Sequence, residues 1–182
     1  MDKSIKNNPL TCQSCYHYIT SESHFDSCTN VSMYEVKESI YSTKNKPMTT
    51  YGLGGCTVLL MVFFTKDTKI LIKSVLGHHP IKQNILKWFL RYYTNEYNIV
   101  TIIKTPEEYQ KINDKWIMKT ANEDYWISNM KKDNCKLILE PYSLSCVSND
   151  KTKFRSSLYF IIKDNIPKYS DCYGRYIDIK YN

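Results

Sequence analysis

The sequence predicts an α/β protein in which a mixed, largely antiparallel β-sheet or sandwich is flanked by helices. Three observations predict it. Strand-like runs follow one another at both ends, helical patterns gather in the middle, and a 42% hydrophobic content over 182 residues suffices for one real core. Wholesale disorder and a multidomain machine are thereby excluded.

Residues 1–45 are polar and glycine-free, which marks them as a Cys- and His-containing appendage to a domain spanning 46–182. Within them Tyr34, Val36 and Ile40 alternate as one short edge strand would. The Lys-Asn-Lys-Pro stretch at 44–47 is the expected boundary, because proline and short polar residues interrupt regular structure. The apolar run 56–64 reads as a buried strand and 69–77 as its hairpin partner, joined by the polar residues 65–68. Pro80 then opens a helix whose stripe is Ile81, Ile85, Trp88, Phe89 and Tyr92, with Gln83, Lys87 and Arg91 on the other side. A strand is expected over 99–104. Thr105-Pro106-Glu107-Glu108 has the form of an N-cap with proline at the first helical position, and Thr120 with Glu123 repeats the signal, so two short helices are expected over 106–131. Strands at 136–140, 158–163 and 176–180 complete the reading.

The 25 basic and 18 acidic residues leave a net charge of +7, which favours acidic partners without specifying one. Nucleic acid is not the expected partner. No arginine-rich groove motif occurs, Gly-Leu-Gly-Gly lacks the lysine of a phosphate loop, and Tyr92, Tyr159, Tyr176 and Tyr181 stand at packing positions of helix and strands. The N-terminus carries no apolar leader, and the longest apolar run is far too short to span a bilayer, so a soluble cytoplasmic protein without membrane contact is expected. A Lys, Asn, Ile and Tyr bias suggests AT-rich coding, which suits a protist or a virus as well as a bacterium. The seven cysteines are then thiols, metal ligands or a nucleophile, not a disulfide framework.

Glycine use points to the chemistry. Of only five glycines, Gly52, Gly54 and Gly55 crowd before Cys56, and Gly77 stands directly before His78 and His79. Glycine is required where φ is positive or another group approaches closely, so the entrances to the cysteine and to the histidine pair have special backbone geometry. A turn centred near Asp67 sets Cys56 across from His78, and a slip of one residue selects His79 instead. Opposed residues of neighbouring strands have Cβ atoms about 4.5–5.5 Å apart, close enough for an imidazole to take a thiol proton. The plain alternative is a small apolar cysteine beginning a strand and a histidine beginning a helix. Separately, Cys12, Cys15, His24 and Cys28 form C-x2-C-x8-H-x3-C, a set that would satisfy tetrahedral zinc, with His17 competing for the imidazole role. Cys135, Cys146 and Cys172 have no partner at ligand spacing.

Read in full, Thr50-Tyr51-Gly52-Leu53-Gly54-Gly55-Cys56 resembles the T-x-G-L-G-S-C signature of the CheD family of chemoreceptor glutamine deamidases, related in fold to the cytotoxic necrotizing factor toxins. Gly174-Arg175 before the last strand looks like that family's closing pair. The likeness is specific over residues 50–80. Gly55 stands where the signature has serine, and the family's later glycine-rich and arginine-asparagine motifs are missing. The resemblance implies a CheD-like fold and a protein-glutamine deamidase with Cys56 as nucleophile, His78 as base (His79 as the alternative), Thr50 as the third member, and backbone N–H groups at Gly54, Gly55 and Cys56 for the oxyanion. It implies no required cofactor and a protein partner presenting an exposed glutamine. The competing expectations are a zinc-stabilised basic module binding nucleic acid or protein without catalysis, and a decayed deamidase kept for interaction.

Overall fold

A computed structural model of the chain describes residues 28–41, 47–142, 157–171 and 175–182. The described residues form a mixed α/β fold that is mostly β, as the sequence predicts. One sheet has the order β1 (Thr29–Asn30), β3 (Met48–Tyr51), β9 (Ser157–Lys163), β10 (Ile166–Ser170) and β11 (Tyr176–Asp178). The other runs β2 (Glu35–Ile40), β5 (Leu71–His79), β4 (Thr57–Phe64) and β6 (Asn98–Ile112). The far half of β6 pairs with β7 (Lys115–Thr120), and its near half also pairs in parallel with β8 (Cys135–Tyr142). Apart from β6–β8 and β1–β3, the pairings are antiparallel.

Every residue of β4 is buried, because the strand lies between two apolar layers. Its even-numbered side chains, Val58, Leu60, Val62 and Phe64, meet Met48, Leu158 and Phe160 of the first sheet. Its odd-numbered ones, Leu59, Met61 and Phe63, meet Ile85 and Phe89 of helix α1 (Lys82–Tyr92) and Trp126 and Met130 of helix α2 (Glu123–Met130). The layers are therefore sheet, sheet and helices. A strand apolar on both faces needs such a sandwich, since either face left in water would expose several branched side chains, each worth about 1.5–3 kcal/mol when buried.

The edge strand expected around Tyr34–Ile40 is β2, which among the described residues pairs only with β5. Residues 28–41 are built into both sheets through β1 and β2, and of the expected boundary 44–47 only Pro47 lies within the described residues. The two helices expected over 106–131 are corrected to one. Instead of a helix beginning at Pro106, β6 continues to Ile112 and returns as β7, and only α2 is helical. Proline is tolerated there because β6 leaves β4 and β8 at that point and takes up β7, with the Pro106 carbonyl accepting from Ala121 N–H at 2.9 Å.

Candidate active site

The β4–β5 hairpin turns through residues 65–70, with Thr65 N–H donating to Ile70 C=O at 2.9 Å. Phe64 pairs with Leu71, but Phe63 pairs with Lys73, so Ile72 is an extra residue in β5. This bulge shifts the register beyond it and opposes Val58 to His78 and Thr57 to His79. The expected direct opposition of Cys56 and His78 is thus corrected: Cys56 lies two residues before the strand position facing His78. The bulge also decides which histidine faces which layer. His78 follows Leu76 on the side turned to the first sheet, and His79 is turned to α1.

His79 is a structural residue in this arrangement. Its Nδ1 accepts from Ile81 N–H at 3.0 Å, its Nε2 lies 3.1 Å from the Asn84 side-chain amide, and its ring stacks edgewise against Tyr34 and Trp88. Both nitrogens are engaged in starting α1. His78 differs. Its Nδ1 lies 2.8 Å from Thr50 Oγ1 on β3, a polar link between the two sheets, and its Nε2 is buried without a hydrogen-bond partner among the described residues. A buried acceptor left unpaired costs less than a buried N–H, so the favoured tautomer donates from Nδ1 to Thr50 and leaves a lone pair on Nε2. Burial, with a smaller contribution from neighbouring His79, lowers the His78 pKa to about 4. The ring is neutral at pH 7.

Cys56 stands just ahead of β4 and is buried. Two left-handed residues, Gly52 at φ 73° and Gly55 at φ 98°, form the loop that delivers it. Its thiol donates to Met33 Sδ at 3.6 Å, and Met33 sits in the turn whose next residue, Tyr34, donates from N–H to His78 C=O at 2.7 Å. Burial pushes the thiol pKa up, so Cys56 rests as a protonated thiol.

Tyr142 organises this loop from the end of β8. Its hydroxyl accepts from Gly55 N–H at 3.0 Å and faces the carbonyls of Leu53 and Cys56, the latter at 2.8 Å. Gly55 N–H also points to Leu53 C=O at 2.5 Å, and Gly54 N–H donates to Gly52 C=O at 2.8 Å. The expectation that Gly54 and Gly55 offer free oxyanion donors is therefore corrected, since the loop satisfies both amides internally. The sequence reading missed Tyr142, Met33 and Lys104. Lys104 is fully buried in the same cross-strand row as His78 and Val58, and its ammonium donates to Ser157 C=O of the first sheet at 2.6 Å. A lysine closing the apolar run 99–103 was its one sequence signal; Tyr142 had none.

Gly77 meets its expectation through close approach: a Cβ there would lie 2.8 Å from the Trp88 ring. Arg175 holds the buried Asp171 carboxylate through Nε at 2.8 Å, while Gly174 lies outside the described residues. So do Cys12, Cys15, His17 and His24 of the zinc reading, and Cys146 and Cys172; Cys28 is half-buried. No group of three metal-ligating side chains occurs among the described residues. Cys135 packs in the core, with its sulfur 3.2 Å from Thr101 Oγ1. No helix among the described residues is long and apolar enough to cross a membrane.

Fold and site together define a two-sheet α/β protein with a buried threonine–histidine link between the sheets and a thiol loop at the same end. Neither a protein-family model nor a curated protein matches the chain.

Proposed function

We propose that the protein is a thiol-dependent amidohydrolase that deamidates glutamine side chains on a protein partner, with Cys56, His78 and Thr50 as its triad. The observation that carries this reading is the Thr50–His78 bond at 2.8 Å with a buried, unpartnered Nε2, because it leaves an oriented neutral base on the face that the thiol loop adjoins. Likeness of residues 50–56 to the CheD signature supports it independently.

With thiol and imidazole both neutral at rest, the proton passes from Cys56 to His78 Nε2 as sulfur attacks the amide carbon, and no preformed ion pair is needed. The C–S bond forms, and the carbonyl π electrons move to oxygen. Collapse of the tetrahedral species breaks the C–N bond. The imidazolium returns its proton to the leaving nitrogen, so ammonia departs and a thioester remains. Water, deprotonated by the same ring, then releases glutamate and restores the thiol. Thr50 keeps the ring in register by accepting from Nδ1. Since Gly54 and Gly55 N–H are engaged within the loop, Cys56 N–H is the amide from which the mechanism draws oxyanion stabilisation.

Candidate proteins incubated with the wild type and with Cys56→Ala test the proposal by mass spectrometry. A roughly one-dalton gain at a glutamine that only the wild type produces is expected. Equal signals from both proteins refute it.

One set of observations favours a second reading, a former deamidase kept for interaction. The thiol is shifted up, not down, two candidate oxyanion amides are engaged, and the β6–β7 ribbon, which extends past the end of the sheet where β4 begins, exposes Tyr109, Trp116 and Met118. Under that reading neither protein deamidates any substrate, and Trp116→Ala weakens a partner contact that Cys56→Ala leaves intact.

A further inference from the structure

At the end of the sandwich away from Cys56, the two sheets splay around a cavity of about 810 Å³. Phe64, the last residue of β4, lines it, so it lies about 25 Å from the thiol loop, given eight strand residues at about 3.3 Å each. Its size falls in the range of about 300–1,000 Å³ that accommodates small-molecule ligands.

The walls and the mouth differ in chemistry. Phe64 and Leu71 from the second sheet, Ile162 and Ile166 from the first, and Ile179 all line it, so the body is apolar. Lys69 and Lys180 also line it, and among the described residues no aspartate or glutamate side chain does. The Lys69 ammonium lies 4.9 Å over the Tyr181 ring, and its backbone is held at φ 56°, a left-handed conformation that non-glycine residues seldom adopt. Lys180 lies 3.6 Å from an Asp178 oxygen and is exposed, but that carboxylate is held more closely by Lys168 at 2.5 Å. Two cations at the rim of an apolar recess fit a ligand with a hydrocarbon body and one anionic end.

We propose that this cavity binds a linear aliphatic carboxylate, its chain between the two sheets and its head group between Lys69 and Lys180. The proposal is independent of the deamidase reading and involves no residue of that site.

Calorimetric titration of the full chain with sodium decanoate, below its micelle concentration and at low salt, tests the inference. One saturable site is expected. Decanamide, neutral and of the same length, should bind about tenfold more weakly, as should decanoate to the Lys69→Ala/Lys180→Ala protein, because a charge-assisted contact of that kind corresponds to about a factor of ten. Ile166→Trp, which fills the cavity, should abolish binding while its circular dichroism matches the wild type. The lysine variant, altered at the rim only, decides the matter if the tryptophan variant fails to fold. Absence of a saturable site, equal binding of decanamide, or unchanged affinity in the lysine variant each overturns the proposal.

Discussion

At His78, one hydroxyl and one sheet register set the state of the ring. Thr50 is fully buried, and its Oγ1 is the partner that Nδ1 has in the other sheet. Thr50→Val keeps the shape and removes the acceptor, leaving a buried polar nitrogen unpaired. We expect a loss of about 1–3 kcal/mol in urea unfolding, and a smaller loss in Thr50→Ser, which retains the hydroxyl. Equal losses would mean that packing and not the bond matters at this position. Tyr142 presents a complementary case, since its hydroxyl meets the amide or carbonyl groups of three loop residues, 53, 55 and 56. Tyr142→Phe should leave the fold intact and accelerate amide hydrogen exchange at Gly55, measured by NMR. Unchanged protection there would show that the Leu53 carbonyl alone holds that N–H.

Among the elements, the hairpin β4–β5 and helix α1 are fitted to each other through Gly77, where the Trp88 ring occupies the space of a side chain. Gly77→Ala would place a methyl 2.8 Å from that ring, so the Trp88 side chain or the helix that carries it must shift. A destabilisation of about 1–3 kcal/mol is expected, with relief in Gly77→Ala/Trp88→Leu. A fully additive double variant would contradict the contact. Two of the strands that the sequence does not announce, β7 and β10, follow the same kind of turn. Asn113 and Asp114 have φ of 48° and 60°, and Asp164 and Asn165 have 54° and 62°, so each pair forms a two-residue left-handed hairpin connection. Both dipeptides were legible in the sequence. They were missed because the usual second residue is glycine, and in the first case because the capping pattern at 105–108 matched a helix start equally well.

Taken as a whole molecule, the fold keeps two imidazoles below their ordinary pKa. His78 is at about 4 through burial and the nearby His79, and His79 is lowered by burial. Relative to the unfolded value near 6.5, the native state binds fewer protons, so the stabilisation is complete above pH 6.5 and is lost as pH falls towards 4. The His78 contribution amounts to about 3 kcal/mol. Chemical denaturation at pH 7 and pH 4 should show a fall of at least that order, reduced in His78→Gln; an identical fall in both proteins would place the acid sensitivity elsewhere. Under the proposed reaction, the same shift predicts that the acid limb of the rate profile lies near pH 4 and not near 6.5.

Much of this arrangement was written locally. Apolar runs and their periodicity specify β4, β5, α1, β8 and β9, and a strand hydrophobic on both faces already demands two covering layers. Crowded glycines marked the thiol loop and the approach of Trp88 to β5. Tertiary structure alone decided the rest, because those outcomes depend on partners distant in the chain. A single extra residue at Ile72 determined that His78 and not His79 faces Thr50, and hydrogen bonding along an entire ladder drew residues 106–112 out of the helix that their capping pattern favoured. A local pattern records a preference worth about 1 kcal/mol, whereas sheet pairing and burial sum over many residues and prevail where the two conflict.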